Sequence, residues 1–309
     1  MATSVDCVLA IRGGGGPKGE SPLWSADEQC LYWVDIDGGA LHRFDPASGR
    51  DRAQVFTEPV GCVARTDRGR FLLGMRSGIH VLDAFGEGVP RRILRLESDR
   101  PGNRSNDGRC DPFGRFWVGT MLDPPSAEVA SGALYRLDQE RCARVFDGLH
   151  TANGLAFTAD RTRMYFSDSF RTVSTVWACD LDPQDGTVLS RRPFASLDPA
   201  KGRPDGACCD EDGCYWSCHI DGGRVVRYTP QGRVDRQIAM PVAWPTMCAF
   251  GGPNLDVLYI TSLRRGGPDA EHPAQPLAGS LFACRPGVRG VAEPRYAEPP
   301  DVDTLAVPE

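Results

Sequence analysis

The sequence predicts an all-β fold, specifically a six-bladed β-propeller, from three observations. A block of turn, apolar strand, second turn and second strand recurs six times along the 309 residues. The apolar centres of successive blocks lie roughly 40–50 residues apart, the length of one four-stranded blade. The 35 glycines and 25 prolines interrupt any sustained helical period, which favours many short strands over long helices.

The first block, Ser25–Asp45, places an aromatic strand around Trp33 before a Gly-Gly turn and a second strand. Apolar runs such as Cys30–Val34 are typical of strands that neighbouring blades bury on both faces. The later blocks are Thr66–Asp83, Cys110–Asp138, Thr158–Asp182, Gly202–Tyr228 and Asn254–Cys284. The apolar centres, taken as equivalent, are Trp33, Leu72, Trp117, Phe166, Trp216 and Ile260.

The segments outside the blocks complete this prediction. The N-terminal run Val5–Ile11 is expected to pair with the last blade, because closing the ring removes an exposed edge strand. Two longer loops, Leu122–Ser131 and Arg264–Ala278, interrupt the third and sixth blocks, and long ordered loops are often functional. We expect residues 1–309 to form one domain with a poorly ordered, proline-rich tail at 298–309.

The bulk properties exclude several classes of partner. The formal net charge is −6, the pI is near 5.5, and Lys and Arg form no runs, so no nucleic-acid partner is expected. No apolar segment approaches the roughly 18 residues that span a bilayer, and Met1–Arg12 lacks a secretory signal pattern. We therefore expect no membrane partner, a cytoplasmic location, and 12 cysteines that are reduced thiols. The sequence leaves the oligomeric state open.

Four oxygen-bearing side chains precede different blocks: Glu20, Asn106, Asn153 and Asp205. Each is next to or near glycine or proline in an inter-blade segment, and Asp205 stands between Pro204 and Gly206, which both define turn geometry. Taken alone, each is more often an ordinary turn residue. Corresponding positions in four blades would nevertheless converge on the channel axis, and two acids with two amides suit a divalent cation.

Several longer segments resemble the senescence-marker-protein (regucalcin), gluconolactonase and luciferin-regenerating-enzyme family. The resemblance runs in order over nearly the whole chain. The matching segments are G-E-S-P-L-W-S with Y-W-V-D-I (19–36), R-S-N-D-G-R-C-D-P-F-G-R-F-W-V-G-T-M (104–121), A-N-G-L-A-F (152–157), G-R-P-D-G-A-C-C-D (202–210), G-G-R-V-V-R-Y (222–228) and A-F-G-G-P-N-L-D-V-L-Y-I-T-S (249–262).

This resemblance implies a six-bladed propeller with one catalytic divalent metal ion in its channel. Its ligands would be Glu20, Asn153 and Asp205, and Arg104 and Asn106 would contact the substrate. The sequence departs from the animal members after G-T-M, where an acidic pair is replaced by Leu122-Asp123-Pro124-Pro125. Asp123 is the candidate substitute for substrate contact, and the substrate is left open at this point.

The implied activity is hydrolysis of sugar-acid lactones, opening a 1,4- or 1,5-aldonolactone to the aldonic acid. A cation with three protein ligands keeps open positions, where it can polarise a carbonyl and activate water. Asp205 could also act as the general base, and Arg104 could bind sugar hydroxyls or steady the oxyanion. The loop Leu122–Ser131 could act as a lid. Ca²⁺, Mg²⁺, Mn²⁺, Zn²⁺ and Fe²⁺ all stay open as the metal.

Two other functions stay open from the sequence. One keeps the metal and changes the electrophile, giving a phosphotriester or aryl-ester hydrolase on the same propeller. The other is a calcium-binding or partner-binding propeller without turnover, since propellers host many binding functions. A serine-hydrolase triad is disfavoured, because no serine stands in a G-x-S-x-G context.

Overall fold

The computed structural model describes residues 7–11, 17–139, 141–266 and 274–300. These residues form 24 strands in six antiparallel sheets of four strands each, arranged as a six-bladed β-propeller. The prediction of an all-β propeller is therefore confirmed. A 3₁₀ helix at Pro199–Lys201 connects the fourth blade to the fifth.

Each of the first five blades is a simple meander of consecutive strands. Blade 1 contains β2 (Gly19–Ser25), β3 (Cys30–Asp35), β4 (Ala40–Asp45) and β5 (Arg50–Val55). Blade 2 contains β6 (Val60–Arg65), β7 (Phe71–Met75), β8 (Gly78–Leu82) and β9 (Arg91–Leu94). Blade 3 contains β10 (Asn103–Cys110), β11 (Phe116–Leu122), β12 (Gly132–Leu137) and β13 (Cys142–Leu149).

Blades 4 and 5 follow the same pattern, and blade 6 closes the ring. Blade 4 contains β14 (Ala152–Phe157), β15 (Arg163–Asp168), β16 (Thr175–Leu181) and β17 (Val188–Ser196). Blade 5 contains β18 (Arg203–Cys209), β19 (Tyr215–Ile220), β20 (Arg224–Tyr228) and β21 (Val234–Ala239). Blade 6 contains β22 (Pro245–Gly251), β23 (Val257–Ser262), β24 (Leu281–Cys284) and the N-terminal β1 (Val8–Ile11).

Ring closure occurs as the sequence predicts. Strand β1 pairs antiparallel with β24, with Val8 opposite Ala283 and Leu9 opposite Phe282. The rest of the predicted run, residues 5 and 6, lies outside the described residues. Pairing the first strand with the last covers the edge that each would otherwise expose, so these two strands hold the ring together.

The core lies between neighbouring blades, and the second strand of each blade contributes to it. The six apolar centres that the sequence places in equivalent positions, Trp33, Leu72, Trp117, Phe166, Trp216 and Ile260, all lie on these second strands and are at most 1% exposed. Burial of aromatic and aliphatic side chains against the next blade stabilises the ring, because each buried side chain contributes on the order of 1.5–3 kcal/mol.

Every innermost strand contains a register shift of the kind that a β-bulge produces. The shifts lie in β2, β6, β10, β14, β18 and β22, near the start of each strand. A bulge turns a side chain away from the regular alternation, and bulges are common next to active sites. Here the six bulges surround one end of the central channel.

Residues 288–298 cross the opposite end of the channel, a position that the repeat pattern does not predict. Tyr296 is fully buried and bridges to Thr66, and Gly290 bridges to Asp210. Glu293 pairs with Arg109, which lies near the end of β10. Of the tail predicted to be poorly ordered, Glu298 is buried and bonded to Arg70, and residues 301–309 lie outside the described residues.

Candidate functional site

A cavity of about 160 Å³ opens at the end of the channel where the innermost strands begin. Six predicted site residues lie in its walls: Glu20, Arg104, Asn106, Asp123, Asn153 and Asp205. They come from blades 1, 3, 4 and 5, so the ring brings together residues that are far apart in the chain. That they bind a cation and a substrate there stays a prediction.

The bulges decide how these side chains enter the cavity. Glu20 and Asn153 are the last paired residues before the bulges of β2 and β14, opposite Val34 and Ser167. Asn106 and Asp205 lie inside the bulges of β10 and β18. Asn106 and Asp205 thus lie one residue later in the strand register than Glu20 and Asn153. The expectation that all four residues occupy equivalent positions is wrong by this one residue. The irregular backbone of a bulge can still direct either position inward.

Asn153 and Asp205 are in direct contact. Asn153 Nδ2 donates to Asp205 Oδ1 at 2.5 Å and to Ser169 Oγ at 2.8 Å. With both amide protons used, Asn153 Oδ1 is left buried without a hydrogen-bond partner in the described structure. A buried acceptor without a donor is costly, so this oxygen is suited to an electropositive ligand.

Burial strongly perturbs the two acids of the site. Burial raises the pKa of Asp205 to about 8. Burial, and after it the charge of Asp205, raises the pKa of Glu20 well above its ordinary value. A third acid, Asp107, sits in the same bulge as Asn106; its pKa is also raised by burial, and its Oδ2 accepts from the Leu155 amide at 2.8 Å. Removing carboxylates from water disfavours their charged form unless a cation compensates.

The donor set fits a hard divalent cation. Within the described residues, no group of three or more His, Cys, Asp and Glu side chains is arranged to hold a metal ion. The candidate set here contains two carboxylates and one amide, so it holds only two such side chains. All three supply oxygen, two carry the charge that a cation would neutralise, and the unpartnered Asn153 Oδ1 offers a ready acceptor.

Arg104 organises the opposite wall of the cavity. Its Nη1 donates to Ser105 O and to Asn106 Oδ1, both at 2.9 Å, and its Nε lies 3.2 Å from Asp123 Oδ2. Asp123 also bonds to Arg76. Because Asn106 Oδ1 accepts from Arg104 and its Nδ2 donates to Ala152 O, Asn106 is held by protein groups on both sides. The structure thus brings Asp123 into the Arg104 network.

Sequence reasoning missed several residues of this cavity. Lys18, Ser169, Arg203 and Thr246 also lie in its walls. Arg203 Nη1 donates to Ser169 O at 2.8 Å, which places its guanidinium beside the Asn153 network. The sequence feature that could have identified Arg203 is its position two residues before Asp205, in a segment already identified as important.

The two predicted loops differ in what the structure describes. Pro125, from the loop Leu122–Ser131, lies in the cavity wall, and Ser126 O is 3.1 Å from His150 Nδ1. This loop therefore borders the cavity, as a lid would. Part of the second loop, residues 267–273, lies outside the described residues.

No helix in the described ranges has the length and hydrophobicity that a membrane crossing requires.

Comparisons with known proteins concern the family and the fold of the chain. A family model described as SMP-30/Gluconolactonase/LRE-like region matches residues 18–264. A protein of Pseudomonas putida named 6-deoxy-6-sulfogluconolactonase is 45% identical over 280 residues, covering 90% of this chain and 94% of that protein. An L-arabinolactonase of Azospirillum brasilense is 36% identical, covering 91% and 93%. The crystal structure of regucalcin from Agrobacterium tumefaciens, described as a calcium-binding protein, superposes with a TM-score of 0.86 at 30% identity, covering 96% and 99%.

Proposed function

The chain belongs to the SMP-30/gluconolactonase/LRE-like family, and on that premise we propose that it is a lactonase that hydrolyses sugar-acid lactones. The relatives' names support a lactonase, and they cover a sulfonate-bearing gluconolactone and a pentose-derived lactone. The observation that carries the proposal is the unpartnered Asn153 Oδ1 beside two buried carboxylates, facing a cavity whose other wall holds Arg104.

The proposal includes one divalent cation held by Glu20, Asn153 and Asp205. When bound, such a cation supplies Lewis acidity that polarises a carbonyl and lowers the pKa of water. The regucalcin neighbour's description as calcium-binding supports a divalent ion, and the choice among Ca²⁺, Mg²⁺, Mn²⁺, Zn²⁺ and Fe²⁺ belongs to experiment.

The protein groups divide the remaining work. Asp205 accepts the proton of the attacking water, as a carboxylate within reach of the same oxygen can do. The water oxygen bonds to the lactone carbonyl carbon, the bond from that carbon to the ring oxygen breaks, and the proton passes to the ring oxygen. Arg104 and Asn106 hold sugar hydroxyls and the developing oxyanion, and Asp123 fixes the guanidinium of Arg104. The loop Leu122–Ser131 shields the cavity from bulk water.

The test is a substrate panel assayed with and without a chelator. We expect chelator-sensitive hydrolysis of gluconolactone, galactonolactone, xylonolactone or arabinonolactone, and much slower hydrolysis of paraoxon and phenyl acetate. Asp205→Asn and Asn153→Ala should lose this activity, and Asn254→Ala, in an exposed turn, serves as the matched control.

Two outcomes would replace the proposal. Faster chelator-sensitive cleavage of paraoxon or phenyl acetate than of every lactone would select the phosphotriester or aryl-ester hydrolase. Tight calcium binding without turnover of any ester would select a binding propeller. Full activity of Asp205→Asn with the cation still bound would remove the role assigned to Asp205.

A further inference from the structure

Three arginines surround a single carboxylate beside the cavity. Asp221 Oδ2 accepts from Arg203 Nε at 3.2 Å and Nη2 at 3.0 Å, and Arg171 Nη2 lies 3.7 Å from the same oxygen. Arg265 bonds to the other oxygen, Asp221 Oδ1. The guanidinium groups of Arg203 and Arg171 alone already share the one carboxylate of Asp221. This group therefore carries excess positive charge.

The cluster is connected to the candidate ligand Asn153 through Ser169. Arg203 lies in the cavity wall, and its Nη1 donates to Ser169 O. The hydroxyl of Ser169 accepts from Asn153 Nδ2. Arg203 also stands two residues before Asp205 on β18. The arginine cluster thus lies beside the part of the cavity that contains Asn153 and Asp205, on the side of blades 4 and 5.

The other cations of the cavity have protein partners of their own. Lys18 Nζ pairs one to one with Asp37 at 3.1 Å. Arg104 is buried, with Nη1 shared between Ser105 O and Asn106 Oδ1 and Nε facing Asp123. Arg171 is 63% exposed, and Arg203 is 18% exposed and lies in the cavity wall, so a ligand can reach both side chains.

We propose that Arg203 and Arg171, oriented by Asp221, form a receptor for an anionic substituent of the substrate. The substituent is a tetrahedral oxyanion, a sulfonate or a phosphate, on the sugar carbon remote from the lactone carbonyl. Planar guanidinium groups bind such oxyanions through paired, charge-assisted hydrogen bonds. An uncharged aldonolactone gains none of this binding. The proposal rests on the lactonase function proposed above and names the substrate class for that same cavity.

The experiment compares three lactones that differ only at the sixth carbon: glucono-1,5-lactone, its 6-phosphate and its 6-deoxy-6-sulfonate. We expect kcat/KM to be at least about tenfold higher for one charged lactone than for the neutral one, the size of one charge-assisted hydrogen bond. That preference should shrink as ionic strength rises, because salt screens the partly exposed guanidinium groups. The comparison of phosphate with sulfonate identifies which group the receptor takes.

Substitutions locate the receptor. Arg171→Gln and Arg203→Gln should each lower the ratio of kcat/KM for the charged to the neutral lactone by roughly fivefold or more, mainly through KM. Arg203→Lys should recover part of the ratio, since it keeps the charge and loses the planar fork. Arg192→Gln is the matched control: Arg192 is a partly exposed arginine paired with Asp180 on the outer strand of blade 4, and its loss should leave the ratio unchanged.

The failures are distinguishable. Equal kcat/KM for all three lactones, with a ratio unmoved by the arginine substitutions, would overturn the receptor and leave the lactonase standing. A charge preference abolished by Arg192→Gln as strongly as by Arg171→Gln would also overturn it. Absence of turnover for every lactone would overturn both proposals together.

Discussion

Asn153 donates a hydrogen bond from Nδ2 to Asp205 Oδ1, joining the innermost strands of blades 4 and 5 at the channel axis. The same amide group donates to Ser169, so its oxygen is turned away from both partners and stays buried without a donor. The carboxylate that accepts this bond has a pKa raised to about 8 by burial. Asn153 Oδ1 is therefore an acceptor without a donor, and Asp205 is a buried acid whose charged form a cation would stabilise.

Cation binding should depend on the Asn153 side chain. Asn153→Ala removes the unpartnered oxygen and the hydrogen bond that orients Asp205, so we expect affinity for Ca²⁺, Mn²⁺ or Zn²⁺ to fall at least about tenfold. Calorimetric titration of chelator-treated protein measures this loss directly. Asn254→Ala, in an exposed turn, should bind as the wild type does. Equal affinities in Asn153→Ala and the wild type would contradict this ligand assignment.

The shape of Arg104, as well as its charge, should matter for catalysis. Arg104→Lys keeps a positive charge but cannot reach Ser105 O, Asn106 Oδ1 and Asp123 at once. We expect kcat/KM for the preferred lactone to fall about 10- to 100-fold, which corresponds to about 1.4–2.7 kcal/mol of transition-state stabilisation.

Steady-state kinetics on the Arg104→Lys variant should be paired with a cation titration. The hydrogen-bond and ion-pair partners that the described residues give Arg104 are Ser105, Asn106 and Asp123, none of which is a proposed ligand of the cation, so the titration should be unchanged. Arg144→Lys, on the outer strand of blade 3, provides the matched control. Unaltered kinetics in Arg104→Lys would mean that a point charge is sufficient at this position.

The buried acid should make the cation-free protein sensitive to pH. The pKa of Asp205 is raised from an unfolded value of roughly 3.9 to about 8, so the folded state binds more protons between these values. The contribution of Asp205 to the free energy of unfolding therefore falls as pH rises through this window, by at most about 1.4 kcal/mol per pH unit. In chelator, Asp205→Asn should melt a few degrees above the wild type at pH 8 and nearly with it at pH 4.

A carboxylate with the opposite shift tests this sign. Arg227 lowers the pKa of Asp235, mainly through a side-chain hydrogen bond, so Asp235→Asn should lower the melting temperature at pH 8 instead of raising it. Added divalent cation should stabilise the wild type and leave Asp205→Asn nearly unchanged, since a ligand stabilises only the state that binds it. A lower melting temperature for cation-free Asp205→Asn at pH 8 would contradict the assignment of Asp205 as a destabilised acid.

The blades could be predicted from the sequence because each is a local unit. Aromatic centres such as Trp33 and Trp216 are followed by turns and a second strand within a few residues, so their environment is largely encoded nearby. The crossing segment 288–298 could not be predicted in this way. It has no periodicity, and contacts such as Tyr296 with Thr66 join residues that are far apart in the chain.

The same distinction between local and long-range features applies to the residues of the candidate site. Glu20, Asn106, Asn153 and Asp205 could be identified as candidates because they recur before blocks that the repeat had already aligned. The family resemblance then implied which three of them would bind a cation. Arg203 could not be identified in this way, because it meets its partner Asp221 only when the hairpin that carries Asp221 folds beside it. The one-residue offset between Asn153 and Asp205 was hidden for a similar reason. It depends on where each bulge interrupts the strand pairing, which repeat spacing does not encode.

Close packing of the innermost strands makes Gly61 a sensitive position. A Cβ at Gly61 would lie 2.4 Å from Ser105 O and 2.7 Å from Asn106 O, so the backbone of blade 3 would have to move. That backbone carries Arg104 and Asn106. We expect Gly61→Ala to destabilise the protein by about 1–3 kcal/mol or more, the usual range for overpacking, and also to lower kcat/KM by displacing both side chains.

A second glycine separates this effect from the general cost of losing a glycine. At Gly102 an added Cβ meets only Leu122 Cδ1, the end of a side chain that can rotate away. Gly102→Ala should therefore melt within about two degrees of the wild type, since a flexible neighbour relieves the contact. Thermal unfolding of both variants, with lactone hydrolysis measured below the transition, checks the comparison. Equal melting temperatures for Gly61→Ala and Gly102→Ala would mean that blade 3 yields easily, and that the inner strands do not fix Arg104 and Asn106 as rigidly as their spacing requires.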